Sequence, residues 1–155
     1  MNTDDRHCEY ALRSVGLWEL ITERGGLDGE LKSDVLSHGQ KQLFSLARAI
    51  LRARIALEQS FANGSRGNGG GLLLLDEVNS SVDHDTDMLM QEIIRREFQS
   101  YTVICVAHRL DAIRWYDRVV VMDKGQIVEV GSPEALIAQE AGVFRGLWMA
   151  GQGDI

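Results

Sequence analysis

The chain has 155 residues, the size of one ordinary domain, and its 45% hydrophobic and 25% charged content is that of a globular protein. A formal net charge of −7 argues against nucleic acid or an anionic membrane surface as the main partner. Cys8 and Cys105 lack metal-ligand spacing and read as reduced thiols of a cytosolic domain; no apolar run reaches the ~18 residues of a membrane helix and no leader resembles a signal peptide, so the visible chain is expected to be soluble, with any anchor supplied by other sequence.

In chain order, residues 1–6 are polar and expected to fray. Residues 7–23 are expected to be helical, with Tyr10, Leu12, Val15, Leu17 and Leu20 as apolar positions and Gly16 as a local weakness. Gly25-Gly26-Leu27-Asp28-Gly29 is a loop. From Gln40 the pattern is strongly helical, because Leu43, Leu46, Ala47, Ile50 and Leu51 recur at i, i+3, i+4, i+7 and i+8 and form one face. Residues 58–70 break that pattern and read as a flexible surface insertion. Its glycines do not make a phosphate loop: the segment has no lysine followed by serine or threonine, and it precedes a strand rather than following one.

Leu72 to Leu75 is a continuous apolar run, expected to be a parallel strand buried on both faces. Asp83 to Phe98 reads as a helix with Met90, Ile93, Ile94 and Phe98 on one side, and Thr102 to Val106 as a second buried strand. A short helix over Asp111 to Tyr116 is followed by a hairpin, Val119 to Met122 and Gln126 to Val130, around Asp123-Lys124-Gly125. Ser132 and Pro133 start a helix as N-cap and first position, and a last short helix runs near Val143 to Met149. Strands alternating with helices give an α/β class with a mostly parallel sheet and a more helical front end.

Three places carry candidate chemistry. Asp76 follows four leucines, so its carboxylate emerges at the C-terminal edge of a strand, where open α/β sheets bind ligands. Glu77 points elsewhere by strand alternation and is placed to polarise a water; the competing reading is two acids capping a strand in solvent. His108 comes just after the strand ending at Val106 and can reach the same site, although a lone histidine is more often a structural or surface residue. Ser37-His38-Gly39-Gln40 opens a helix, where backbone N–H groups and a hydroxyl meet an anion, or where Ser37 is simply an N-cap.

The order of these segments resembles an ATP-binding-cassette (ABC) nucleotide-binding domain. Leu36-Ser37-His38-Gly39-Gln40 is similar to its signature loop, Leu72 to Glu77 to its Walker B strand, Val78-Asn79-Ser80-Ser81-Val82-Asp83 to its D-loop, and His108 to its switch histidine. Ala11 to Trp18, Asp111-Ala112-Ile113, Asp117 to Gly125 and Gly131-Ser132-Pro133 resemble the second nucleotide-binding domain of subfamily C, the multidrug-resistance-associated type, and the glycine-rich insertion looks like fungal members. The likeness covers roughly residues 10 to 140; His38 departs from the usual glycine.

The resemblance implies a partial P-loop NTPase (RecA-like) fold, with residues 7–57 as part of the helical subdomain and signature helix, 58–70 as insertion and 71–150 as the C-terminal part. It implies ATP and Mg²⁺ as cofactors. Glu77 would be the catalytic base, Asp76 a magnesium ligand and His108 a contact to the γ-phosphate. Ser37, Gly39 and Gln40 would face ATP held by a second, head-to-tail nucleotide-binding domain, and Asp83 would link the two sites. Transmembrane domains of a parent exporter would be the other partners, placing the chain at the cytosolic face of a membrane.

The chain has no Gly-Lys dipeptide and hence no G-x-x-x-x-G-K-[ST] phosphate loop. The resemblance places that loop, the Q-loop and the adenine-stacking aromatic upstream of Met1. The sheet would also lose flanking strands, leaving unpaired edges and an exposed apolar face, so the isolated chain is expected to hydrolyse ATP undetectably and to aggregate. Two other readings remain: a non-catalytic truncated module that offers its signature face to another nucleotide-binding domain, and a soluble ABC ATPase of chromosome maintenance or translation.

Overall fold

The structure, a computed structural model, describes residues 3–31, 35–64, 70–76, 83–107 and 110–151. They divide into two units, Met1–Cys105 and Val106–Ile155.

In the first unit, α1 (Thr3–Ser14) starts earlier than its polar first residues predict, with Asp4 and Asp5 in a first turn that favours negative charge. The predicted helix over residues 7–23 is two helices, because Gly16 takes φ 71° and ends the first. Gly16 N–H donates to the Arg13 carbonyl (3.0 Å) and Leu17 N–H to the Leu12 carbonyl (2.9 Å), the paired bonds of a glycine-terminated helix. Leu12 and Leu17 are both buried beside that turn. The chain re-enters α2 (Trp18–Thr22) and then a 3₁₀ turn over Gly26–Asp28.

Helix α3 (His38–Ala62) buries Leu43, Leu46, Ala47 and Ile50 of the stripe its periodicity predicts, while Leu51, the fifth position, is half-buried against the same core. It runs on through Glu58 to Ala62, where the broken apolar pattern reads as loop. Residues 65–69 lie outside the described residues. α1 packs on α3, and α3 on α4 (His84–Glu97). Polar contacts brace these helices: the Tyr10 hydroxyl donates to Glu97 (3.0 Å), the Ser14 hydroxyl to Glu97 (3.3 Å), and the Arg54 guanidinium stacks 3.8 Å from the Tyr10 ring centre.

β1 (Leu72–Asp76) pairs with β2 (Thr102–Val106) in a two-stranded parallel sheet, joined through α4. Leu75 is buried in the helical core with Leu73, Val103 and Cys105 packed against it. The other face is open: Leu72, Leu74, Ile104 and Val106 are 58%, 65%, 52% and 53% exposed. The expectation of strands buried on both faces is corrected here, since among the described residues α1, α3 and α4 contribute the core on one face only.

The second unit holds a 3₁₀ turn (Leu110–Trp115), the antiparallel hairpin β3 (Val119–Asp123) and β4 (Gln126–Gly131), α5 (Pro133–Ile137) and α6 (Val143–Gly151). Lys124 (φ 48°) and Gly125 (φ 77°) form a two-residue turn whose twist suits a hairpin. Ser132 caps α5 through Ala135 N–H (3.2 Å). Val121, Leu136, Phe144 and Trp148 make its core. The α/β class stands, but the parallel sheet is confined among the described residues to β1 and β2.

Candidate functional site

Asp76 is the last residue of β1, and it is exposed. Alternation along the strand puts it on the same face as Leu72 and Leu74, away from the helical core that holds Leu75. β2 is the direct neighbour of β1 and runs parallel to it, so the C-terminal ends of the two strands lie side by side. At the other end of the pair, Thr102 N–H donates to the Gly71 carbonyl (2.8 Å) and fixes the register. Glu77 and His108, the two expected catalytic residues, lie outside the described residues, as do residues 78–82.

Asp83 caps α4. One carboxylate oxygen accepts from Thr86 N–H (2.9 Å) and the other from the Thr86 hydroxyl (2.7 Å). These bonds, the backbone one first, hold the Asp83 carboxyl below its ordinary range. Thr86 supplies both bonds, and Asp before a helix start is itself a capping signal.

At α3 the expected signature segment forms a reciprocal cap. Ser37 Oγ accepts from Gln40 N–H (3.2 Å), and Gln40 Oε1 accepts from Ser37 N–H (2.9 Å). The carboxamide oxygen of Gln40 is thus committed within the turn. The Ser37 hydroxyl keeps its proton to donate, and the N–H groups of His38 and Gly39 make no hydrogen bond among the described residues. Ser37 and His38 are exposed. The first turn therefore presents a hydroxyl and two amides at the positive end of a 25-residue helix, an arrangement that suits an anion.

Of the residues expected at a magnesium site, Asp76 is described. Among the described residues no group of three His, Cys, Asp or Glu side chains comes together to hold a metal. Mg²⁺ takes only one or two carboxylates and fills its shell with phosphate oxygens and water, so a lone strand-end Asp76 fits as a single ligand. The 155 residues contain no Gly-Lys dipeptide.

Comparison with known proteins gives the context. No family model matches the chain. It is 52% identical over 143 residues to the ABC-type transporter braE of Annulohypoxylon truncatum, covering 92% of this chain and 10% of that protein. It is 46% identical over 143 residues to the ABC transporter gloK of Glarea lozoyensis, covering 92% and 10%, and 44% identical over 138 residues to the ABC multidrug transporter B of Aspergillus fumigatus, covering 89% and 8%. Its homologues are fungal ABC transporters. The chain spans about a tenth of the length of these curated relatives. Among the described residues no helix is long and apolar enough to cross a membrane.

Proposed function

We propose that this chain is the C-terminal part of a nucleotide-binding domain, the ATP-hydrolysing motor of an ABC-type exporter, and that it corresponds to the second cassette of the multidrug-resistance-associated subfamily. The observation that supports this reading is the pairing of β1, which ends at Asp76, with β2. Four motifs in family order, and relatives that are ABC transporters over most of the chain, support it. Asp76 would ligate Mg²⁺, Glu77 would take a proton from the attacking water, and His108 would contact the γ-phosphate. Ser37 and Gly39 would face ATP bound by a second, head-to-tail domain, with Gln40 bracing their turn and Asp83 linking the two sites through the start of α4. Residues elsewhere in the parent protein would hold the nucleotide phosphates, and its transmembrane domains would choose the cargo, an amphipathic or conjugated organic anion.

The test is the complete transcript across the locus and the protein it encodes. An in-frame phosphate loop and apolar membrane spans upstream of Met1, with ATP turnover lost on Glu77→Gln, are the expected results. A second reading rests on the capped first turn of α3, which presents a hydroxyl and two amides to an anion. On that reading the chain is a non-catalytic module that binds another nucleotide-binding domain through Ser37 and Gly39, and a transcript beginning just before Met1 would favour it.

A further inference from the structure

Between α1, the 24–31 loop and α3 lies a cavity of about 270 Å³. Its wall is chiefly apolar, built from Ala11, Leu12, Ile21, Phe44, Ala47 and Leu51. The polar groups that line it are Cys8, Arg24, Glu30 and Arg48. Arg24, Glu30 and Arg48 are exposed, so they stand where the cavity meets solvent. Two guanidinium groups and one carboxylate thus line the rim of a chiefly apolar space.

We propose that this cavity binds a small organic acid with an apolar body and one anionic head, the body against Leu12, Phe44 and Leu51 and the head on Arg24 and Arg48. The volume lies just under the usual range for small-molecule pockets, which limits the ligand to about the size of a medium-chain fatty acid. Guanidinium groups pair with carboxylates through two parallel N–H donors, and that geometry prefers a carboxylate to an alcohol or an amine. Phe44, Ala47, Arg48 and Leu51 all lie on α3, whose first turn presents the Ser37 hydroxyl. Occupancy would therefore bear on the helix that the proposed partner contact uses. The cavity proposal does not depend on the nucleotide reading, and its test contains no nucleotide.

Cys8 supplies the readout. Its thiol lies on the cavity wall and is raised above its ordinary pKa, first by burial and then by the carboxylates of Asp5 and Asp4, so it reacts slowly but measurably at mildly alkaline pH. The chain would be treated with N-ethylmaleimide, and modification at Cys8 and Cys105 followed separately by peptide mass, with octanoate, octanol or octylamine added. Octanoate is expected to slow Cys8 saturably by about tenfold and to leave Cys105 unchanged, with octanol weaker and octylamine without effect. The double substitution Arg24→Gln, Arg48→Gln removes exposed side chains only; it should raise the octanoate concentration needed by about tenfold while protection by octanol stays the same. Cys8 modification indifferent to octanoate would overturn the proposal. So would equal slowing of both cysteines, protection by octylamine equal to that by octanoate, or an octanoate response unmoved by the arginine replacements.

Discussion

Among the described residues of 3–64 the helices bury a continuous stripe: Val15, Leu17, Leu46 and Ile50 are buried, Phe61 at the end of α3 is 65% exposed, and both ends of α3 are closed by their own hydrogen bonds. Along β1 and β2 only alternate residues do so. Leu75 is buried with Leu73 and Cys105 against the same core, while Leu72, Leu74, Ile104 and Val106 stand more than half exposed. A helix satisfies its backbone internally and needs cover on one stripe, whereas a parallel sheet needs cover on two faces and neighbours on two edges. The helical region therefore looks complete by itself, and the strand region does not. Asp76 sits on the incompletely covered side.

The largest expected effect lies in the core that both regions share. Ile93→Ala, at a position with no exposure, should cost about 2–5 kcal/mol in urea unfolding, because it removes apolar atoms and leaves a cavity. Leu74→Ser on the open face should change stability by no more than about 0.5 kcal/mol and should lower light scattering by the concentrated chain. If Leu74→Ser destabilises as much as Ile93→Ala, the open face is covered in solution and the contrast fails.

Smaller effects probe the two caps. Ser37→Ala removes one half of the reciprocal cap on α3 and should lower stability by about 1 kcal/mol, read by thermal melting in circular dichroism. At α4 the effect is one of pH. The folded Asp83 carboxyl titrates below its unfolded value, so its contribution is present above the ordinary carboxylate pKa of about 4 and is lost as the pH falls through the lower folded value. Asp83→Asn should flatten that part of the stability profile, and an unchanged slope would mean that the Thr86 bonds do not persist in solution.

Much of this was legible in the residues. The stripe of Leu43, Leu46, Ala47 and Ile50, the buried face of Met90, Ile93, Ile94 and Phe98, the hairpin turn at Lys124-Gly125 and the Ser132-Pro133 helix start all follow from local rules, and the fold shows each of them. Gly16 was visible as a weakness but not as a helix end, because its turn is closed by backbone bonds to Leu12 and Arg13 that side-chain patterns do not record. The run from Leu72 to Leu75 is apolar at every position, so it shows that both faces prefer cover but not which one these helices provide. The cavity beside Cys8 left no trace in the sequence; it arises from imperfect filling between α1, the 24–31 loop and α3, a property of packing rather than of pattern. Of the candidate residues, Asp76 ends a paired strand and Ser37 caps α3, while Glu77 and His108 lie beyond the described residues.

The central claim is that the end of β1 serves ATP hydrolysis, and the most direct test is turnover by the protein that the complete transcript encodes, with and without Glu77→Gln. Loss of a general base should lower magnesium-dependent ATP hydrolysis by about a hundred- to ten-thousand-fold while ATP binding is kept. Turnover by the Glu77→Gln protein equal to that of the unsubstituted protein would contradict the account.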